Sequence, residues 1–207
     1  MSTSVVLTGV GGQGTVLASK LIANAAMARG LAVHTAETIG MAQRGGNVTS
    51  HVRMGDGGEE VLAPLIATGC ANLVIALEVG EAVRALPYLA ADGLLVCGRA
   101  AIPSVVTNLS GAAYDADGYR AYLERQAPHF LQVDERVVCE EVGSPKVANV
   151  ALLAAAVLAC GRTGWGLGDA IGKDDLTQAI AACVRPQFLD ANVAAVDAVA
   201  RTVGQPT

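Results

Sequence analysis

Residues Val5 to Thr15 read VVLTGVGGQGT, with four glycines among the six residues Gly9 to Gly14. Gly9, Gly11 and Gly14 match G-x-G-x-x-G, set between an apolar run and a helical pattern. In that setting backbone N–H groups and the positive end of a helix can receive a phosphate. No Gly-Lys-Ser/Thr follows, so a Walker A loop is excluded. A dinucleotide site also needs an acid about 20 residues on, at the end of the next strand. Glu37 stands there. The competing reading is that the glycines only let the helix pack closely on the strand.

A second polar segment, ETIGMAQRGGNVTSHVR, runs from Glu37 to Arg53. So polar a stretch in an apolar chain is a solvated excursion, a ligand site or a docking surface. Arg44, ahead of the Gly45-Gly46 pair, is suited to place a guanidinium on a phosphate or carboxylate while the backbone approaches closely. His51 and Arg53 lie two apart, on one side of a strand. A lone histidine there is more often a structural hydrogen-bonding group than an acid or base. Further on, Lys146 and Asn149 share a face of a helix that starts at Pro145. That face can meet a ligand, or it holds a solvated lysine and a packing asparagine.

Periodicity gives the strands and helices around these residues. Ser4–Thr8 reads as a strand covered on both faces, Thr15–Arg29 as a helix stopped by Gly30, and the run from Leu31 to Glu37 as a second strand. This is the opening half of a doubly wound nucleotide fold. The expected next helix is missing: Thr38–Gly58 gives a long polar loop, then a strand in NVTSHVRM. Winding resumes with a strand over 72–77, a helix ending near Pro87, a strand over 93–98, a polar helix over 115–126 and a short strand at FLQVD. Asp134 is placed to cap the element after that strand. Ser144 and Pro145 open the longest apolar helix, through Gly161, and one or two helices complete the chain around Pro186. The fold class expected is α/β, a Rossmann-like mostly parallel sheet flanked by helices, with an irregular loop–strand segment after the second strand. No repeat or linker divides the 207 residues, so one domain, 1–207, is the economical reading.

Composition narrows the function classes. A net charge of −5 argues against nucleic acid. No run of about 18 consecutive apolar residues indicates a membrane span, and the N-terminus lacks the pattern of a signal peptide. Five scattered cysteines without any C-x-x-C fit a reducing cytoplasm and small buried side chains. They do not provide for an iron–sulfur cluster on this chain alone. The three histidines show no metal-ligand spacing, so no metal site is expected.

GVGGQGT, followed at this distance by GMAQRGGNVTSHVR, resembles the gamma-type domain of the 2-oxoacid:ferredoxin oxidoreductases. SPKVANVALLAAAV, with Asn149, and FLDANVAAVDAVA, with Asn192, resemble that family more loosely. A free-standing chain without cluster cysteines is most similar to the small subunit of the indolepyruvate type. The gamma subunits of the pyruvate and 2-ketoisovalerate enzymes come next. The resemblance implies oxidative decarboxylation of a 2-oxoacid with transfer of the acyl group to coenzyme A (CoA), electrons leaving to ferredoxin. It implies thiamine diphosphate, Mg2+ and [4Fe–4S] clusters on a large alpha subunit as partner, with CoA as co-substrate. Residues expected at the ligand are Gly11, Gly12, Gln13, Gly14, Glu37, Met41, Gln43, Arg44, Gly45, Gly46 and Asn149, Gln13 offering its amide outward. No catalytic residue is expected on this chain. Two rival readings stand beside this one: an NAD(P)-binding reductase, resting on Glu37, and a purely structural subunit.

Overall fold

The computed structural model describes residues 2–40, 46–55, 63–103 and 113–203. Strands β1 (Thr3–Val10), β2 (Ala32–Ile39), β3 (Asn47–Gly55), β4 (Ala71–Ala76), β5 (Leu89–Gly98) and β6 (His129–Val133) form a six-stranded sheet in the order β2-β3-β1-β4-β5-β6. β1, β4, β5 and β6 are successively parallel, while β3 is antiparallel to both β1 and β2. The mostly parallel α/β sheet is thus as expected, with a difference in its wiring. β2 does not pair with β1, because β3 lies between them with Val5 opposite Val52 and Leu7 opposite Ser50. The alternation in NVTSHVRM did mark a strand, and it lies inside the sheet, with Val48, Ser50, His51, Val52, Met54 and Gly55 buried.

β1 is apolar on both faces because helices cover both. Val5 and Leu7 face α1 (Thr15–Ala28) and α5 (Ala148–Thr163), whereas Val6 faces α2 (Val79–Ala85). α6 (Lys173–Cys183) and α7 (Pro186–Val203) pack outside α1 and α5, and α3 (Ala116–Gln126) packs on α2. α4 (Glu135–Val142) connects β6 to α5 and packs on α5 and α7.

α5 is the core helix. Residues Asn149 to Val157 are all buried, and its alanines let sheet and helices approach closely on every side. Each fully buried leucine, such as Leu152 or Leu153, contributes about 1.5–3 kcal/mol. With the preceding turn, Pro145–Thr163 is long and apolar enough to cross a bilayer, but most of it lies within this packing. The expected helix start at Pro145 is instead a 3-10 turn, Pro145–Val147, whose Lys146 N donates to Ser144 Oγ (3.4 Å). That turn leaves Lys146 exposed while the α-helix beyond it buries Asn149. Acidic side chains start three other helices: Glu78 caps α2, Asp115 caps α3 and Asp134 caps α4.

Candidate functional site

The chain leaves β1 through the glycine loop and enters α1 at Gly14, whose φ of +86° favours glycine. Three braces hold the loop. Val10 N donates to Gln13 Oε1 (2.7 Å), Gln13 Nε2 donates to Leu77 O (2.9 Å), and Gly11 N donates to Gly46 O (2.8 Å). The first two correct the expectation of an outward amide. Gln13 turns inward and ties the end of β1 to the residue after β4. The third joins the two sequence motifs, since Gly46 immediately precedes β3.

Among the described residues no side chain caps α1, so its first turn keeps the partial positive charge of unsatisfied N–H groups. That end opens on a cleft of about 480 Å³. Its lining brings together the glycine loop (Gly12, Gln13, Gly14), the apolar Leu17, Leu77 and Leu152, the 145–149 region with Lys146 and Asn149, and Ala100 and Glu135. Asn149 Nδ2 donates to Gly14 O (3.2 Å). A Cβ on Gly14 would come within 2.4 Å of that nitrogen, so this glycine meets both a backbone and a packing requirement.

Among the described residues the cleft has two charged side chains, Lys146 and Glu135. Lys146 is exposed, with Nζ 5.2 Å from the centre of the Phe188 ring, and it has no carboxylate partner among the described residues. Glu135 is buried at 7% exposure, and its Oε2 accepts from Arg99 N (2.8 Å).

The cleft stands where the topology predicts a ligand site. From β1 the chain passes to α1 on one face of the sheet, and from the adjacent β4 to α2 on the other. Ligands in open α/β sheets bind at such a switch point, beyond the carboxyl ends of the strands.

Gly12, Gln13, Gly14 and Asn149 therefore converge on one cleft, and Gly11 and Gly46 brace it. Met41, Gln43, Arg44 and Gly45 lie outside the described residues. Glu37 does not join the group. It is exposed on edge strand β2, and with β3 between β2 and β1 it lies two strands from β1, roughly 10 Å of sheet. This removes the acid on which the dinucleotide reading rested. Asn192, the other asparagine singled out, is buried, donates to Phe188 O (2.7 Å) and lines a neighbouring cavity beside Lys146.

Glu135 is absent from the expected set. In sequence it looks like an ordinary acid at a helix start, favoured there by the helix dipole. The available signal is Asp134, which already caps α4 by accepting from Arg136 N (3.3 Å) and leaves Glu135 without that task.

Across the sheet a smaller cavity of about 150 Å³ includes Glu78, Glu81, Arg84 and Tyr114. Glu78 accepts from Glu81 N (3.0 Å), from Ile102 N (3.1 Å) and from the Tyr114 hydroxyl, a set that locks the start of α2. Burial raises the Glu81 carboxyl, with Arg84 opposing and Glu78 adding to the rise. Among the described residues no group of three His, Cys, Asp or Glu is placed to hold a metal. Burial, reinforced by Glu78 and Glu135, pushes the Cys97 thiol to about 12, and burial pushes Cys160 to about 11, so both are inert thiols at neutral pH.

Residues 4–202 match the family model described as pyruvate ferredoxin/flavodoxin oxidoreductase. The chain belongs to this oxidoreductase family. It is 42% identical over 154 residues to the indolepyruvate oxidoreductase subunit IorB of Archaeoglobus fulgidus, covering 74% of this chain and 75% of that one. It is 30% identical to the subunit of the same name from Thermococcus kodakarensis, over 94% and 92% of the two chains. The fold is shared with the gamma subunit of a keto/oxoacid ferredoxin oxidoreductase from Geobacter sulfurreducens, at TM-score 0.65, 20% identity and coverage of 97% and 98%. It is also found in a 2-oxoglutarate:ferredoxin oxidoreductase from Magnetococcus marinus, solved with 2-oxoglutarate, coenzyme A and succinyl-CoA bound. There the TM-score is 0.68 at 15% identity, with all of this chain matching 32% of the larger one.

Proposed function

We propose that this chain, as a single gamma-type domain, is the small subunit of a cytoplasmic, CoA-dependent oxidoreductase acting on indolepyruvate or another aryl-pyruvate. The reaction oxidatively decarboxylates the 2-oxoacid to an acyl-CoA and CO2, and ferredoxin takes the electrons. The large alpha subunit carries the thiamine diphosphate, Mg2+ and [4Fe–4S] clusters. The relatives' names support the substrate, and the CoA bound to the Magnetococcus enzyme supports the co-substrate.

The observation that carries the assignment to this chain is the cleft itself. An uncapped helix end, glycines that expose backbone, and a lysine without a carboxylate partner among the described residues meet at the switch point of the sheet. These features suit a phosphate ester. The glycine loop and the α1 amides hold phosphate oxygens, Lys146 supplies the compensating charge, and Arg44 adds a second. Leu17, Leu77 and Leu152 shield the ligand from water. Thiamine chemistry at the 2-oxoacid carbonyl belongs to the partner, and this subunit orients the acyl acceptor.

The test uses the chain purified with its large subunit, in CoA-dependent reduction of a viologen dye. Lys146→Met and Arg44→Ala are each expected to raise KM for CoA about tenfold, with kcat little changed. An unchanged KM in both variants overturns the CoA assignment. Gln13→Ala is less informative, because it leaves Val10 N and Leu77 O without partners. That inward amide favours a second reading, in which the loop serves only assembly. In that case Arg44→Ala weakens the complex in size-exclusion chromatography and leaves KM for CoA alone.

A further inference from the structure

We infer that Glu135 is a second recognition point of the cleft, accepting a hydrogen bond from a hydroxyl or amino donor on the nucleoside half of the ligand. The inference rests on the reading that a phosphate of that ligand sits at the glycine loop. In a dinucleotide fold the carboxylate that reads the sugar ends the strand beside β1. Here β3 occupies that position and Glu37 is carried to the sheet edge. The carboxylate that reaches the cleft comes from beyond β6.

Local structure prepares Glu135 for this task. Asp134 caps α4, so the Glu135 side chain leans across the end of β5 and one of its oxygens accepts from Arg99 N. β5 ends in Gly98, where a Cβ would stand 3.1 Å from that oxygen, so glycine leaves the carboxylate room. The other oxygen makes no hydrogen bond or ion pair among the described residues. Lys146 lines the same cleft and is not paired with Glu135. That oxygen keeps solvent access, so a donor on a ligand in the cleft can take the place of water there. A phosphate ester carrying a donor satisfies both charges of the cleft, whereas a bare phosphate satisfies only one.

The assembled two-subunit enzyme tests this with CoA and pantetheine as acyl acceptors and adenosine 3′,5′-bisphosphate as competitive inhibitor. Glu135→Gln keeps an oxygen for Arg99 N and turns the second oxygen into an NH2 donor. KM for CoA is expected to rise about tenfold with kcat within about twofold, and the inhibitor to weaken by the same factor. KM for pantetheine, which lacks the nucleoside, stays unchanged. Equal effects on CoA and pantetheine make Glu135 structural and overturn the inference. The wild-type enzyme gives a second measurement that needs no variant. The 2′-deoxy and hypoxanthine analogues of the inhibitor remove the sugar and base donors in turn. Weaker inhibition by one of them identifies the donor, and unchanged inhibition by both overturns the inference. If the bisphosphate does not inhibit the wild type and Lys146→Met leaves KM for CoA unchanged, the CoA reading falls and takes this one with it.

Discussion

Gly12 and Gly14 both have positive φ, at +101° and +86°, yet a side chain would meet different surroundings at each. At Gly12 an added Cβ has nothing within 4 Å, so alanine there costs only the strain of the backbone conformation, about 1 kcal/mol. At Gly14 the same carbon collides with Asn149 Nδ2, and the hydrogen bond to Gly14 O must shift as well. Gly14→Ala is expected to cost about 3 kcal/mol. For a chain of this size that lowers Tm by about 6–12 °C, against about 2–4 °C for Gly12→Ala. Thermal unfolding of both variants checks the ranking. Asn149→Ala made in the Gly14→Ala background should recover part of the loss, with a coupling of about 1 kcal/mol. Purely additive effects would mean that Asn149 does not lean on the loop.

Among the elements, β3 decides what the other strands can do. Its insertion separates β2 from β1, removes Glu37 from the cleft, and lets Gly46 reach the glycine loop. It also buries the Ser50 hydroxyl, which has no hydrogen-bond partner among the described residues. Ser50→Ala should therefore stabilise the chain by about 1 kcal/mol in urea unfolding, whereas a loss would show that the hydroxyl is satisfied. The alternation Val48, Ser50, Val52, Met54 made β3 legible as a strand in the sequence. Its place beside β1 was not legible, because that antiparallel pairing joins residues far apart in the chain. The glycine loop and Asn149 were readable as site residues because their types carry a backbone or hydrogen-bonding meaning wherever they occur. The sequence suggests an outward Gln13 amide, because only the fold brings Leu77 O within its reach. Glu135 escaped because its role depends on where β5 ends, and nothing local to α4 records that.

For the molecule as a whole, buried titratable groups set how stability varies with pH, and they act with opposite signs. His51 lies between the sheet and residues 66 and 88. Its Nδ1 accepts from Ile66 N (3.4 Å), and its ring meets Tyr88 edge-on at 5.5 Å. Burial lowers its pKa below the ordinary 6.5, so just below that pH the unfolded chain binds a proton that the folded chain refuses. His51 thus favours the fold above about 6.5, and this contribution is lost as pH falls towards its folded value. Glu81 works the other way. Its pKa is raised by burial above 4.5, so its contribution is present below 4.5 and is lost as pH rises through the folded value. Asp134 is lowered from 3.8, first by its hydrogen bond with Arg136, so its contribution persists above 3.8 and disappears in stronger acid. The first decline on acidification therefore belongs to His51. Urea unfolding of the full chain between pH 7.5 and 5.5 should show stability falling, by at most about 1.4 kcal/mol per pH unit for one proton. His51→Phe keeps a ring against Tyr88 and removes the titration, and its profile should be flat over the same interval. If the variant declines as steeply as the wild type, His51 is not the group that titrates.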